Sequence, residues 1–365
     1  MNCKFNSDNK LKRILVTGGA GFIGSSLIRR LIIETNTEVF NIDKLTYASD
    51  LTFLEELNKY NTERHHLIKV DLSDSISLQK AVINSNPDII FHLAAESHVD
   101  RSIDSPREFI DTNIVGTFNL LQSALKHYRN LTEERKRSFK FVHVSTDEVF
   151  GSLGKDKYFD EKTPYNPKSP YSSTKAASDH LAKSWANTYE LPVVVTNCSN
   201  NYGPRQFPEK LIPLTITNAL KNKTIPIFGK GENIRDWLYV EDHINALLLV
   251  AQKGLNGNSY CIGGGQEISN LKLAEYICEI LDKVKPTSLS YKDLISFVED
   301  RPGHDFRYSI NPSKIIKELG WSIEYPFQTS LETTVKWYLN NQDWCEKTMI
   351  KSGYKTERLG LKKYV

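Results

Sequence analysis

The stretch TGGAGFIG, residues 17–24, constrains the fold of this chain more tightly than any other. It follows the apolar run RILV and leads into the amphipathic run FIGSSLIRRLIIE, so a glycine turn joins a predicted buried strand to a predicted helix. The glycines Gly18, Gly21 and Gly24 permit a tight turn and let a pyrophosphate approach the N–H groups of the helix N-terminus. A strand–helix turn without a ligand also uses glycine, so the loop alone leaves both interpretations open.

Strand and helix patterns alternate through the first half of the chain. The predicted strands are RILVTG, EVFNID, HLIKVDL, DIIFHLAA, FKFVHVST and PVVVTNCS. The predicted helices are FIGSSLIRRLIIE, SISLQKAVINS, PREFIDTNIVGTFNLLQSALKHY and SSTKAASDHLAKSWANTYE. Continuous apolar strands need cover on both faces, so the alternation predicts an α/β fold with a Rossmann-type, doubly wound parallel sheet. Residues 132–138, TEERKRS, are predicted to form a solvated loop.

The pattern changes near residue 200. Proline and glycine interrupt it at YGPRQFPEK, IPIFGKGE and DRPGHD, while helices are predicted at KLIPLTITNALKN, HINALLLVAQKG, LKLAEYICEILDK and SLETTVKWYLNN. This favours a smaller mixed α/β C-terminal lobe. We place a nucleotide-binding Rossmann domain at residues 1–199, the second lobe at 200–345 and a C-terminal tail at 346–365. The return of later segments to the first domain remains an open alternative.

Composition excludes several classes of function. The net charge of +3, from 47 basic and 44 acidic residues, gives no basic surplus for a nucleic-acid partner. No apolar run approaches the ~18 residues of a membrane span, and the N-terminal MNCKFNSDNKLKR lacks an apolar signal core. The five cysteines show neither a CxxC pair nor zinc-site spacing. We therefore expect a cytoplasmic protein with no metal, membrane or nucleic-acid partner.

An acid follows the glycine loop at the spacing of a dinucleotide site. Asp43 ends the second predicted strand, 19 residues after Gly24, where a carboxylate can accept hydrogen bonds from ribose hydroxyls. Because a carboxylate repels a 2′-phosphate, the position favours NAD over NADP. The alternative is that Asp43 only caps the next turn. Asp71, after the third strand, is a candidate adenine contact, and AAES (94–97) follows the fourth strand at the same edge.

Two further patterns carry reactive groups. Tyr171 and Lys175 in YSSTK lie four residues apart, on one face of the predicted helix. A nearby ammonium and a positively charged nicotinamide would both favour the phenolate of Tyr171, whereas an ordinary amphipathic face is the alternative. In STDEVFG (145–151), Asp147 and Glu148 follow a predicted buried strand. Their side chains either lie on a solvent-exposed turn or transfer protons in a reaction.

The chain resembles the extended short-chain dehydrogenase/reductase family. The resemblance rests on TGGAGFIG, Asp43, HLAAES, STDEVFG, YSSTK and NNYGP, which occur in the family's order between residue 13 and about residue 340. It implies a Rossmann lobe, a sugar-nucleotide-binding lobe and a tightly held NAD. It also implies a homodimer, in which helices near 108–127 and 172–189 form a four-helix bundle.

Within that family the triplet Thr146–Asp147–Glu148 resembles the branch that dehydrates nucleoside diphosphoglucoses at C4–C6. The resemblance assigns Glu148 as the base at C5, Asp147 as the acid at C6 and Thr146 as a hydrogen-bond partner of the C4 oxygen beside Tyr171. Two groups are required because elimination needs a base and an acid at neighbouring carbons, and close carboxylates push their pKa values apart. After the water leaves, the hydride returns to C6, so there is no net redox change.

The resemblance also assigns binding residues. The expected NAD contacts are Gly18, Gly21, Phe22, Ile23, Gly24, Asp43, Lys44, Leu45, Thr46, Asp71, Leu72, Leu93, Ala94, Ala95, Ser97, Thr112, Ser145, Tyr171, Lys175 and Asn201. The expected substrate contacts are Ser97, Thr146, Asn200, Lys210, Leu211, Pro226, Phe228, Arg235, Asn270, Arg301 and His304. Among these, Arg235 is the best diphosphate candidate, because a guanidinium binds phosphate oxygens bidentately. Lys210 as a surface lysine and Phe228 as a core residue are the alternatives.

Several functions remain open at this point. dTDP-glucose is the favoured substrate, and UDP-glucose differs from it by only one methyl and one hydroxyl group. A sugar-nucleotide 4-epimerase or decarboxylase is a second alternative, against which Asp147 argues. A third is a non-catalytic NAD-binding sensor or scaffold, which would not need Tyr171, Lys175 and both acids together.

Overall fold

A computed structural model describes residues 12–57, 60, 62–154, 156–300 and 303–354. The strands are β1 (Arg13–Thr17), β2 (Glu38–Asp43), β3 (His65–Lys69), β4 (Ile89–His92), β5 (Lys140–Thr146), β6 (Val193–Cys198), β7 (Asn200–Tyr202), β8 (Ile225–Phe228), β9 (Ile234–Tyr239), β10 (Ser259–Ile262), β11 (Glu267–Ser269) and β12 (Ile295–Val298).

The α-helices alternate with these strands. They are α1 (Phe22–Glu34), α2 (Phe53–Glu56), α3 (Ser75–Ser85), α4 (Val99–Asp104), α5 (Pro106–Phe109), α6 (Thr117–Arg129), α7 (Glu133–Ser138), α8 (Pro170–Tyr189), α9 (Leu211–Leu220), α10 (Val240–Lys253), α11 (Asn270–Val284), α12 (Ser313–Leu319), α13 (Phe327–Asn340) and α14 (Gln342–Ser352). Short 3₁₀ turns cover Thr62–Arg64, Asp147–Phe150 and Tyr291–Leu294, and a π-helical stretch covers Ile110–Gly116.

Seven strands form one parallel sheet in the order β10-β6-β5-β4-β1-β2-β3. The chain winds outward from β1 through β3 and then crosses back to place β4 on the other side of β1. This reversal is the topological switch point at which open α/β sheets bind ligands. The predicted Rossmann-type, doubly wound α/β fold is therefore confirmed, with a smaller mixed C-terminal lobe beside it.

The strands of this sheet are buried on both faces, as their continuous apolar sequences require. In β1, Ile14 and Val16 belong to one hydrophobic cluster, whereas the intervening Leu15 belongs to the cluster on the opposite face. Helix α10, which follows β9, packs with the first cluster through Ile244, Leu247 and their neighbours. The core thus fixes the carboxyl ends of the strands relative to one another.

One prediction from the sequence differs from the structure. Residues 132–138 were expected to be a solvated loop, but Glu133–Ser138 is helical. Thr132 caps this helix by accepting from Arg135 N, and the Arg135 side chain binds Asp88 at 2.7 Å. The long helix predicted across PREFIDTNIVGTFNLLQSALKHY is helical throughout, and its middle, Ile110–Gly116, is π-helical. There Gly116 lies against Leu72, and a Cβ on Gly116 would lie 2.9 Å from Leu72 Cβ.

The smaller lobe contains a three-stranded sheet, β11-β9-β7, and the parallel pair β12-β8. Its own hydrophobic cluster includes Tyr202, Trp237 and Cys345. Strand β10, although late in the sequence, pairs with β6 in the large sheet. The proposed domain limits at residues 199 and 345 stay predictions. Within the described part of the chain, every helix is too short or too polar to cross a bilayer.

Candidate active site

A cavity of about 320 Å³ opens at the carboxyl ends of the central strands. Its walls come from the loops after β1, β2, β3, β4, β5 and β6, together with helix α8 and part of α14. The lining contains the glycine loop, the catalytic candidates Thr146, Asp147, Glu148, Tyr171 and Lys175, and residues 199–201. The topology thus brings together groups that are more than 150 residues apart in the sequence.

The glycine loop has the shape that a phosphate cradle needs. Gly18 adopts φ +71, and a Cβ at this position would lie 2.7 Å from the Ala94 backbone. A Cβ at Gly24 would lie 2.2 Å from Gly18 O, so this helix residue can pack closely against the turn only as glycine. Helix α1 begins at Phe22 without a side-chain cap, which leaves its first N–H groups for a ligand.

Asp43 is held at the end of β2 by three protein donors. Its Oδ2 accepts from Ala20 N at 3.0 Å, and its Oδ1 accepts from Leu45 N at 2.8 Å and Ser49 Oγ at 3.1 Å. A carboxylate offers about four acceptor positions, so acceptor capacity remains for a ribose hydroxyl. Asp43 therefore caps the turn and also faces the cavity, and its contact with a ribose stays a prediction.

The residues present fit a dinucleotide. All the expected cofactor residues except Leu45 line the cavity. Leu45 has φ +60 and contributes its N–H to Asp43 instead. Lys44 lines the cavity, and its Nζ donates to Thr112 Oγ1 at 2.9 Å and lies 3.1 Å from Glu96 Oε1. In the described part of the chain, no cluster of His, Cys, Asp or Glu has the arrangement of a metal site.

The turn after β5 is rigid and buried rather than solvated. Thr146 begins the 3₁₀ turn by accepting from Glu148 N at 3.3 Å. The backbone oxygen of Thr146 accepts from Asn197 Nδ2 at 3.2 Å on the neighbouring strand. Gly151 ends the turn with φ +84, and a Cβ there would lie 2.4 Å from Asn166 O. Both acids therefore lie at the cavity wall rather than on a solvent-exposed loop.

Asp147 has the properties of a neutral acid. It is 1% exposed, Thr146 Oγ1 donates to its Oδ1 at 3.3 Å, and its Oδ2 has no hydrogen-bond partner among the described residues. Burial, followed by the charges of Glu148 and Asp236, raises the pKa of Asp147 well above its usual range, while Arg235 opposes the shift. Burial beside other carboxylates thus favours the protonated form of Asp147.

Tyr171 and Lys175 lie in the first turns of helix α8. Ser169 and Ser172 form a reciprocal capping box that fixes this end of the helix. Burial and then Glu148 raise the pKa of Tyr171, and the Thr146 hydroxyl opposes the shift. Lys175 Nζ donates to Val144 O at 2.9 Å. The protein groups alone thus favour the neutral phenol, whereas the interpretation from the sequence stressed the charges that favour the phenolate.

Asp179 is a buried acid behind the Tyr–Lys pair that the sequence analysis missed. His143 Nε2 lies 2.9 Å from its Oδ1, and Tyr165 OH donates to its Oδ2 at 2.8 Å. Asn197 Nδ2 donates both to Asp179 Oδ2 at 3.1 Å and to Thr146 O. The charge of Asp179 also raises the pKa of Lys175, which burial lowers. The available signal was its spacing, four residues after Lys175 on the same helix face.

Asp236, on β9, is a second acid that the sequence analysis missed. It is fully buried, and its Oδ1 accepts from Gln266 N at 3.0 Å. Burial raises the pKa of Asp236 to about 6, and its charge in turn raises the pKa of Asp147. An acid inside the otherwise apolar run DWLYV was the only sequence signal for it.

The predicted substrate contacts divide into two groups. Ser97, Thr146, Asn200 and Lys210 line the cavity, and Lys210 Nζ donates to Ser97 O at 3.1 Å. The others that the structure describes lie outside its lining; they are Leu211, Pro226, Phe228, Arg235, Asn270 and His304. Arg301 lies outside the described residues.

Arg235 illustrates the second group. Its guanidinium donates to Ile234 O at 2.8 Å and to Asp305 O at 3.0 Å, and its Cζ lies 4.3 Å from the centre of the Tyr308 ring. The Phe228 and His304 rings are 6.4 Å apart, edge to face. The roles of these residues toward a nucleotide stay predictions.

Comparison with known proteins identifies similar chains. The model of the GDP-mannose 4,6 dehydratase family matches residues 15–334. A probable dTDP-glucose 4,6-dehydratase of Sinorhizobium fredii is 51% identical over 349 residues, covering 96% of this chain and 99% of the relative. A dTDP-glucose 4,6-dehydratase of Escherichia coli is also 51% identical, over 362 residues, with the same coverage.

Solved structures resemble the chain over most of its length. The dTDP-glucose 4,6-dehydratase DesIV of Streptomyces venezuelae, crystallised with NAD and TYD, has a TM-score of 0.84 and 40% identity, covering 92% of this chain and 99% of DesIV. A UDP-glucose 4-epimerase of Thermus thermophilus in complex with NAD has a TM-score of 0.79 but only 26% identity, covering 90% of this chain and 99% of the epimerase.

Proposed function

The chain belongs to the GDP-mannose 4,6 dehydratase family, and from that premise we propose that it is an NAD-dependent dTDP-glucose 4,6-dehydratase, a hydro-lyase. Relatives that bear this name are about 50% identical over nearly the whole chain, whereas structures named as epimerases are 25–28% identical. The observation that carries the proposal is the buried Asp147 beside Glu148 at the cavity wall. An epimerase requires neither acid.

The first step needs a base at the C4 hydroxyl. We assign this role to Tyr171, with Thr146 as hydrogen-bond partner of the same oxygen, because both line the cavity and the Thr146 hydroxyl interacts with Tyr171. A bound NAD would supply the hydride acceptor for C4 and the hydride donor for C6. The ammonium of Lys175, anchored on Val144 O, supplies a positive charge that favours the phenolate.

The elimination step needs two groups in opposite protonation states. The ketone at C4 makes the C5 proton acidic, and Glu148 removes it. Asp147 donates its proton to the C6 hydroxyl, which leaves as water. Glu148 returns the proton to C5 when the hydride adds at C6, so the two additions balance. The burial of Asp147 supports this division, because it raises the pKa of Asp147 and so favours the protonated form that an acid needs.

The glycine loop and Asp43 line the same cavity and are assigned to the cofactor. We assign the pyrophosphate to the glycine loop and the N-terminus of α1, and the adenosine ribose to Asp43. Support comes from the close backbone approaches at Gly18 and Gly24 and from the remaining acceptor capacity of Asp43. A carboxylate at this position disfavours a 2′-phosphate, in keeping with NAD rather than NADP.

We further propose that the protein is a homodimer through α6 and α8. Phe118 is 40% exposed and packs edge to face on Trp185, and Ile110 is 43% exposed. Two copies of such a helix pair would bury these side chains in a four-helix bundle. Size-exclusion chromatography with light scattering tests this: a dimer is expected for the wild type and a shift to monomer for Phe118→Glu. A monomeric wild type would refute it.

We also propose that the protein works in the cytoplasm. The four cysteines within the described residues are buried free thiols, and reduced thiols persist in reducing compartments. Cell fractionation with an antibody to the native protein would check the location. Recovery with secreted proteins would contradict the proposal.

The activity is tested with the purified protein and dTDP-glucose, with UDP-glucose in parallel. NMR of the product should show the 4-keto-6-deoxy sugar nucleotide, formed faster from the dTDP sugar. Appearance of only the C4 epimer would identify an epimerase, and bound NAD without turnover of either sugar would indicate a sensor or scaffold. A higher rate with the UDP sugar would reverse the substrate assignment.

A further inference from the structure

Helix α14 lies against the loop that follows Asp43, the acid assigned to the ribose. Trp344 and Thr348 line the cavity. Trp344 Nε1 donates to Asp50 Oδ2 at 2.9 Å, and Lys351 Nζ donates to Ser49 O at 3.0 Å. The helix residues are spaced at i, i+4 and i+7, so one face of α14 meets the loop formed by residues 44–52.

The same loop is tied directly to the cofactor site. Ser49 Oγ donates to Asp43 Oδ1 at 3.1 Å, and Asp50 N donates to Ala20 O in the glycine turn at 2.8 Å. A displacement of residues 49–50 would therefore release a donor from Asp43 and a contact from the phosphate loop. Helix α14 thus connects to both groups through one intervening loop residue. Lys351 reaches Asp43 through Ser49, and Trp344 reaches the glycine turn through Asp50.

A third element holds the loop from the side of the second lobe. Arg205 Nη1 donates to Asp50 Oδ2 at 2.9 Å, and Arg205 Nη2 forms an ion pair with Glu56. Arg205 is buried and has φ +68, a left-handed conformation that costs a non-glycine residue free energy. Leu45, in the loop itself, also has a positive φ of 60. Strained backbone at one residue of the loop and at the arginine that binds the loop indicates that the surrounding interactions maintain this geometry.

We propose that Trp344, Lys351 and Arg205 form a clasp that holds loop 44–52 against Asp43 and the glycine turn, and that this clasp slows the release of NAD. The ring of Trp344 stacks edge to face on Trp337 at 5.1 Å, which anchors the clasp in the core of the second lobe. The proposal concerns retention of NAD and rests on the cofactor assignment alone. It therefore holds whichever sugar nucleotide the enzyme uses.

The test is the rate at which protein loaded with isotope-labelled NAD loses the label into excess unlabelled NAD. Trp344→Phe removes the indole N–H but keeps an aromatic ring against Trp337. We expect this variant to release NAD about tenfold faster than the wild type, because the Asp50 carboxylate loses a charge-assisted hydrogen bond. Lys351→Met, at an exposed position, is expected to release NAD about threefold faster.

Glu346→Gln is the matched control. Glu346 lies on the same helix but pairs with Lys221 at 2.9 Å, away from the loop, so the release rate of this variant should equal that of the wild type. Release from both Trp344→Phe and Lys351→Met at the wild-type rate would overturn the clasp. Equal acceleration by Glu346→Gln would also overturn it, because helix stability would then explain the result. If Trp344→Phe does not fold, Lys351→Met alone decides. No sugar nucleotide is present, so the outcome is independent of the dehydratase assignment.

Discussion

Asp43 and Asp147 both lie at carboxyl ends of strands in one sheet, and both are buried beside one cavity. Asp43 accepts hydrogen bonds from three donors, two of them backbone N–H groups. Asp147 has one donor, Thr146, and its Oδ2 has no hydrogen-bond partner among the described residues. The neighbours differ as well, because Glu148 and Asp236 place negative charge next to Asp147.

This difference supports two separate roles in the proposed function. The three donors hold the Asp43 carboxylate at the cavity and leave acceptor positions for a hydroxyl. Burial beside other acids favours the neutral form of Asp147, which can donate a proton. The donors and charges around each acid come from neighbouring loops and strands, which the position of the acid in the sequence does not show.

The largest expected effect comes from Asp147→Asn. Asparagine keeps the size of the side chain but has no acidic proton, so product formation should fall by about 10²- to 10⁴-fold, the range of general acid–base catalysis. Steady-state turnover of dTDP-glucose measures this loss, and the amount of bound NAD should not change. Turnover near the wild-type rate would remove Asp147 from the chemistry.

Asp43→Asn should act on cofactor binding instead. The amide cannot accept all the hydrogen bonds that Asp43 now accepts, so NAD affinity should fall by about ten- to a hundredfold. Titration with NAD, followed by the quenching of tryptophan fluorescence, gives the dissociation constant. Asp74→Asn, an exposed helix cap outside the cavity, is the control and should bind NAD normally. Equal affinity of Asp43→Asn and wild type would contradict the assignment.

Asp179→Asn tests the acid that supports Lys175. The charge of Asp179 raises the pKa of Lys175, so its removal should let Lys175 lose its proton at a lower pH. Activity that needs the ammonium is lost as the pH rises through that pKa. The basic limb of the kcat profile should therefore move to lower pH, with about a tenfold loss of C4 oxidation.

Tyr165→Phe is the matched control for this variant. It removes one hydrogen bond to Asp179 but leaves the charge in place. His143 and Lys183 also face Asp179 or Tyr165 and are unchanged in both variants. A basic limb that moves equally in the two variants would show that packing, rather than the charge of Asp179, controls the profile.

The smallest effect is expected for Asp236→Asn. Above its pKa of about 6, Asp236 is charged and raises the pKa of Asp147. Without that charge Asp147 loses its proton at a lower pH, so elimination at neutral pH should slow by about threefold. Rapid-quench analysis should find C4 oxidation unchanged, and slowing of both steps would refute the assigned interaction.

The sequence predicted the parts of this molecule that depend on local pattern. The glycine loop and the 3₁₀ turn Asp147–Phe150 each follow a strand of the large sheet, and Asp43 ends another strand, so the parallel topology brings them to one edge. Helices α1 and α3 also match their predicted limits. The helix at Glu133–Ser138 was missed because it is short, polar and stabilised by Arg135 binding Asp88, a distant residue.

The remaining features depend on contacts between distant segments. Asp179 and Asp236 owe their properties to partners on other strands, and their spacing alone does not show burial. The predicted substrate contact Arg235 donates to backbone oxygens near residue 305, a pairing that the sequence does not reveal. The clasp joins residues 50, 205 and 344, which only the folded chain brings together.

The most direct measurement mixes the Asp147→Asn variant, loaded with NAD, with dTDP-glucose and follows NADH absorbance by stopped flow. If Asp147 is the acid of the elimination step, C4 oxidation proceeds while water loss is blocked, and NADH accumulates to a level not seen in the wild type. If oxidation and elimination slow equally and no NADH accumulates, Asp147 does not act as the acid, and the distinction drawn between Asp43 and Asp147 is wrong.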